Sequence, residues 1–275
     1  MIRKNRLPRI IFLAAFVGLC LNRFASAHEY YLMPEQFTVK SGDPFSVRHR
    51  LGQKFQGNEI PYIGVWNIRS EVWQNGDMRP VKGQDGDRPA LTISNDDSGL
   101  LSIIHQSNVD FLTFKTWEKF TAYATKEGLD HALVASEQGL KPKEGLKEAY
   151  ARYAKTLVSV NGTTEGRDMP TGLKIELVAL AHPLLLDQSD PMLVQLLYEG
   201  KPLADARVKV FVGTGTEFAY QIQTDGEGKV QVPADGPGPY LLNAIHMTEP
   251  QGEEAKSKDA HWESFWASLT FERAQ

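Results

Sequence analysis

Between Phe37 and Ile104 apolar and polar residues alternate in short segments broken by turn residues, as in FTVKSGDPFSVRHRLG, YIGVWNI and PALTISNDDSGLLSIIH. A period of two punctuated by Gly, Pro, Asn and Asp predicts β-strands. The pattern changes from Trp117 to Lys126 and from Asp130 to Gln138, where turn residues are missing and helix formers dominate, with Gly128 and Gly139 placed as stops. Both stretches predict helices. A third helix is predicted over Lys143 to Val158, because Leu146, Tyr150, Tyr153 and Leu157 recur at spacings of four, three and four and would share one helical face. After the polar stretch NGTTEGRDMPTG, alternation returns in LKIELVAL, MLVQLLY, ARVKVFVG, EFAYQIQTD, KVQVPA, PYLLNAIHM and WESFWASLTFE. Short strands spaced by turns, TDGEGK being a tight one, indicate β-sandwiches. The expected architecture is mainly β: two immunoglobulin- or carboxypeptidase-regulatory-like sandwich domains over residues 28–160 and 161–275. The first carries a helical insert at about 117–158.

The N-terminus changes the picture of where the chain works. Arg3, Lys4, Arg6 and Arg9 precede an apolar run from Ile10 to Leu21, and Ala25-Ser26-Ala27 offers small residues at −3 and −1. This is the pattern of a secretory signal peptide cut after Ala27. The run is too short to cross a bilayer as a helix, so membrane insertion of the mature chain is not expected, and the expected location is periplasmic or secreted. Lipidation at Cys20 is the rival reading, against which stands the bulky Leu19. Cleavage would leave 248 residues without a cysteine, hence without disulfides or thiolate metal sites. It would also remove five basic residues and no acidic one, moving the formal net charge from −4 to −9. So acidic a chain is a poor partner for nucleic acid and a better one for cations.

Phosphate-binding glycine loops, nucleophile elbows and zinc-protease helices are all missing from the sequence, and no enzymatic activity is expected. The chemistry must lie in the seven histidines and their carboxylate neighbours. Cleavage after Ala27 would give His28 a free α-amine, which with Nδ1 can chelate a metal, a nitrogen set that suits copper or nickel. His246 ends PYLLNAIHM and His261 opens HWESFWASLTFE. If these two strands pair with the histidines opposite each other, Glu263 follows on the same face and three donors meet at one hairpin end. The expected site is therefore His28, His246, His261 and Glu263, holding a divalent transition metal such as nickel, cobalt or copper. His49 stands between two arginines and is expected at a surface strand position; His105, His131 and His182 are expected to be structural or exposed.

AHEYYLMP at the mature start, EGLDHALVASE with EAYARYAKTLV, TGLKIELVAL with GKPLADARVKVFVG, and the closing GPYLLNAIHM and HWESFWASLTFE together resemble a bacterial periplasmic family of unknown function associated with nickel and cobalt uptake. The resemblance covers nearly all of the mature chain and implies a secreted, β-rich metal carrier partnered by a membrane metal transporter. The matching positions are His28, His246, Trp262 and Glu263. The transporter-fused members carry a transmembrane segment, which is missing here after the signal. Two other classes stay open: a protein- or glycan-binding module using Trp262, Phe265 and Trp266, and a copper-dependent oxidative enzyme like the lytic polysaccharide monooxygenases, which also begin with histidine.

Overall fold

The computed structural model describes residues 28–52, 55–187, 189–213 and 220–273; the signal peptide expected over residues 1–27 lies outside them. In chain order the first half contains β1 (Glu29–Pro34), β2 (Thr38–Val39), β3 (Phe45–Gly52), β4 (Asn58–Ile60), a 3-10 turn (Gly64–Trp66), β5 (Asn67–Gln74), β6 (Asp77–Pro80), β7 (Leu91–Ile93), β8 (Gly99–Ser107) and β9 (Asp110–Phe114). Helices α1 (Trp117–Glu127) and α2 (Asp130–Glu137) lead to the 15-residue strand β10 (Leu146–Val160). The second half contains β11 (Ile175–Ala179), β12 (Met192–Tyr198), β13 (Lys201–Pro202), β14 (Arg207–Val212), β15 (Tyr220–Gln223), β16 (Lys229–Val232), β17 (Gly238–Thr248), a short helix α3 (Glu253–Ser257) and β18 (Trp262–Arg273). The chain is mainly β, as its alternation predicts.

These strands form three layers. A central ten-stranded sheet runs β15-β14-β17-β18-β10-β8-β5-β6, with β2 and β9 also paired to β10. One face carries a four-stranded sheet of β11, β12, β13 and β16; the other carries a four-stranded sheet of β1, β3, β4 and β7, beside helices α1 and α2. β10 and β18 join in parallel, Glu148 opposite Trp262 through Thr156 opposite Thr270. The central sheet thus takes strands from both sides of residue 160, and the boundary expected there is not a break in the sheet.

The helix expected over Lys143 to Val158 is not formed: this stretch is β10. Leu146 and Tyr150 pack against the helices with Phe120 and Trp266, while Tyr153 and Leu157 face the opposite layer with Ile175 and Val194. The four residues that would share one helical face are split between two faces of a sheet. Both faces are covered, so nearly every position is buried or half-buried, Glu148 and Lys155 included, and no period of two separates an inner face from an outer one. Propensity for helix in the run EAYARYAK yields to the burial available to a strand in mid-sheet. The insert is therefore limited to α1 and α2, whose expected stops are present: Gly128 and Gly139 both sit at φ +76°.

Gly128 closes α1 in the left-handed conformation, and a Cβ there would lie 2.7 Å from Nε of Arg207, whose Nη1 donates to the carbonyl of Thr125. Gly128→Ala should therefore cost about 1–2 kcal/mol, from the left-handed φ and the displaced arginine. Urea denaturation of the variant checks this, and an unchanged midpoint would show that the cap is dispensable.

The stretch NGTTEGRDMPTG is pinned rather than loose. Asp168 and Thr171 are buried, and Lys155 of β10 reaches Asp168 at 3.0 Å and Glu176 at 2.6 Å. Asp168 also accepts from the Ser102 hydroxyl and from the backbone N–H groups of Met169 and Ala179, and Glu176 accepts from the Thr171 N–H and hydroxyl. Burial alone would lower the Lys155 ammonium, but the two carboxylates outweigh it and hold its pKa above the usual lysine value.

Candidate functional site

β17 and β18 do form the expected antiparallel hairpin, but its register differs. His246 stands opposite Phe265, and Thr248 stands opposite Glu263. His261 precedes β18, where its Nδ1 accepts from the Lys147 N–H and its own N–H donates to the Lys147 carbonyl. Glu263 is buried, and its Oε2 accepts from the N–H groups of Gln251 and Gly252, fixing the turn that follows β17. The connection between the two strands contains α3, and the pairing ends at Thr248 opposite Glu263, four positions out of the register that would set His246 opposite His261.

His28 and His246 also lie on opposite faces of the central sheet. His246 packs on Tyr198 of β12, 4.5 Å between ring centroids, in the layer that Phe265 faces. His28 neighbours Lys126 of α1 and Arg152 of β10, and burial followed by these two cations lowers its pKa. Arg152 is opposite Trp266, on the other face. Among the described residues no three His, Cys, Asp or Glu side chains are grouped so as to hold a metal ion. The aromatics Trp262, Phe265 and Trp266 are all buried, the two tryptophans under the helices and Phe265 in the opposite core, so they form no partner surface.

Three other strands bring their polar residues together. In β3, Phe45, Val47 and His49 point inward while Arg48 and Arg50 point out, Arg48 toward Glu59 and Arg50 onto the Gly57 carbonyl. In β8, His105 is in phase with Leu101 and Ile103; in β1, Tyr30 is in phase with Leu32. All three in-phase side chains therefore enter the gap between the N-terminal sheet and the central one. His49 and His105 are 2% and 3% exposed, which corrects the surface position expected for His49 and makes His105 a buried rather than an exposed residue. Their ring centroids lie 4.7 Å apart, and Tyr30 is 5.7 Å from His49 and 5.1 Å from His105.

This cluster floors a cavity of about 280 Å³. One wall is apolar, from Leu51, Ile60, Ile63 and the half-exposed Trp66; the other is polar, from Asp110, Tyr150 and Arg152. The rim is tied down locally: Asn67 donates to the Ile63 carbonyl, Asn108 N–H donates to the Trp66 carbonyl, and Ser107 accepts from the Arg152 N–H. Arg152 lies over the Tyr150 ring at 4.7 Å, and Tyr150 donates to Asp110 at 2.8 Å.

At the floor the hydrogen-bond accounting does not close. Tyr30 Oη, His49 Nε2 and both ring nitrogens of His105 are buried with no partner in the protein, as is Arg152 Nε. Buried polar groups are nearly always paired, so several orphans converging on one cavity mark a place built for something else. Burial lowers His49 to about 4 and lowers His105 strongly, with His49 and Arg152 adding to the effect on His105. Both imidazoles are therefore neutral near pH 7, with lone pairs free. Burial raises the Tyr30 phenol well above its ordinary value. Strand alternation alone carried the signal for this cluster, since His49, His105 and Tyr30 each keep step with apolar neighbours that face the core.

No curated protein matches the sequence. Among solved structures, the D0-D1 domain of intimin aligns at 11% identity with a TM-score of 0.22, over 88% of this chain and 97% of its own. The human OSCAR ligand-binding domain aligns at 11% identity with a TM-score of 0.20, over the same shares of the two chains. Over residues 25–248 the sequence matches the model of DUF4198, a domain of unknown function, and the chain belongs to that family.

Proposed function

We propose that this is an exported metal-binding protein that holds a divalent transition-metal ion, nickel, cobalt or copper, at His49 and His105, with Tyr30 as the third donor. The observation that carries this reading is the pair of buried, neutral imidazoles, ring centroids 4.7 Å apart, in which His49 Nε2 and both nitrogens of His105 lack partners in the protein. Imidazole nitrogen suits these ions, and a ligand that is already deprotonated at neutral pH loses no affinity to proton competition. Export rests on the signal-like N-terminus, and delivery of the ion to a membrane transporter follows from the resemblance noted above. Among the described residues no helix is long and apolar enough to cross a membrane.

Calorimetric titration with Ni²⁺, Co²⁺, Cu²⁺ and Zn²⁺ tests the site. His105→Ala and the milder His49→Asn should each weaken binding by roughly 10–100-fold, the range seen when a metal site loses one of its supports. Circular dichroism confirms that the variants fold. Adding one residue before His28 displaces its α-amine and should leave affinity unchanged. Loss of binding in that extended chain, with His49→Asn unaffected, would move the site to the N-terminus.

A further inference from the structure

We infer that the ion is taken together with a small carboxylate anion, held by Arg152. This rests on the metal reading above and adds to it the second half of the ligand. Two imidazoles and a phenol are neutral donors, so a divalent ion between them would bring its whole charge into a partly buried cavity that already contains a guanidinium. No carboxylate of the described residues lies within ion-pair distance of Arg152. The carboxylate that lines the cavity, Asp110, accepts from the Tyr150 hydroxyl and from the Phe111 N–H instead. Arg152 therefore stands without an ion-pair partner among the described residues, touching the Tyr150 hydroxyl and feeling Glu148 from a distance, with a buried, unpartnered Nε beside the place proposed for a second cation.

Shape gives the same answer. At about 30 Å³ per water, a cavity of 280 Å³ is several times larger than a bare ion needs. Its apolar wall, Leu51, Ile60, Ile63 and Trp66, suits the carbon skeleton of an organic anion better than a shell of water. The guanidinium carbon sits 4.7 Å from the centroid of the Tyr150 ring, and a guanidinium's planar fork matches a carboxylate in a bidentate arrangement. One carboxylate group on Arg152 and a second on the metal would fill the space between them.

Malonate is a suitable probe because it carries two carboxylates on one carbon. Ni²⁺ is titrated into the protein with and without excess malonate, correcting for the Ni²⁺ that malonate binds in solution. Malonate should tighten Ni²⁺ binding by about tenfold or more in the wild type, a charge-assisted contact being worth at least that. In Arg152→Gln the enhancement should vanish while binding without malonate stays as tight or tightens, since a repelling charge has gone. Arg152→Lys, which keeps the charge but not the fork, should retain part of it. The Co²⁺ protein offers a second readout, a shift of its visible bands on adding malonate that Arg152→Gln abolishes. If Ni²⁺ binds and neither malonate nor Arg152→Gln changes its affinity, the anion is overturned and the metal site stands. Failure of Ni²⁺ and Co²⁺ to bind with or without malonate overturns the metal reading, and the anion with it.

Discussion

Replacing Lys155 by Met should remove about 3–5 kcal/mol of stability, the usual consequence of deleting one partner from a buried ionic cluster. Lys155 is 1% exposed and lies between Asp168 and Glu176, at 6% and 2%. Met has the right length and apolarity for the space, so packing changes little. The loss comes from two carboxylates left without their cation in a region water does not reach. Their remaining hydrogen bonds, from Ser102, Thr171 and the N–H groups of Met169, Thr171 and Ala179, stabilise but do not neutralise them. Adding Asp168→Asn and Glu176→Gln to Lys155→Met should recover much of the loss, because neutral amides tolerate the same surroundings. Urea denaturation followed by tryptophan fluorescence gives both numbers. A single variant that loses under 1 kcal/mol would mean the cluster is hydrated and does not hold residues 161–174 onto the central sheet.

Acid should destabilise the protein through His49, by about 3 kcal/mol between pH 6.5 and 4 at 1.36 kcal/mol per pH unit. The folded-state pKa is depressed to about 4 while the unfolded chain titrates near its ordinary 6.5. Above 6.5 neither state binds the proton and there is no cost. Between the two values only the unfolded state binds it, so stability falls as pH falls, and below 4 the difference stops growing. Burial shifts His105 in the same direction and extends the loss. Glu148 works the other way: burial raises it to about 7 in the folded state, so its contribution is complete below 4.5 and is lost as pH rises through 7. The two effects overlap in the wild-type profile. The informative quantity is therefore the difference between wild type and His49→Phe, measured by urea denaturation from pH 7 to pH 4. That difference should move by about 3 kcal/mol in favour of the variant as pH falls. A flat difference would show that His49 is solvated and that the cavity floor is not closed. Bound metal should suppress the effect at saturation until protons displace it, since ligation and protonation compete for the same nitrogen.

Alternation along β3, β12 and β16, together with the glycines after α1 and α2, was enough to read a mainly β chain carrying a small helical element, because these patterns are local. A strand with one exposed face shows a period of two, and a helix stop needs a residue that accepts positive φ. β10 could not be read this way. Burial on both faces erases the period, and only the layers above and below it, which come from distant parts of the chain, make Leu146–Val160 a strand. The same distance explains the site. His246 and His261 are near in sequence, but the connection between their strands contains α3, and a register of β17 on β18 shifted by four positions sends the donors elsewhere. His49, His105 and Tyr30 lie on three strands separated by up to 75 positions, each visible in the sequence only as a polar residue in step with a core face. What a polar residue meets on that face is set by the packing of two sheets, and the pairing of strands remote in the chain is a property of the whole fold rather than of any segment.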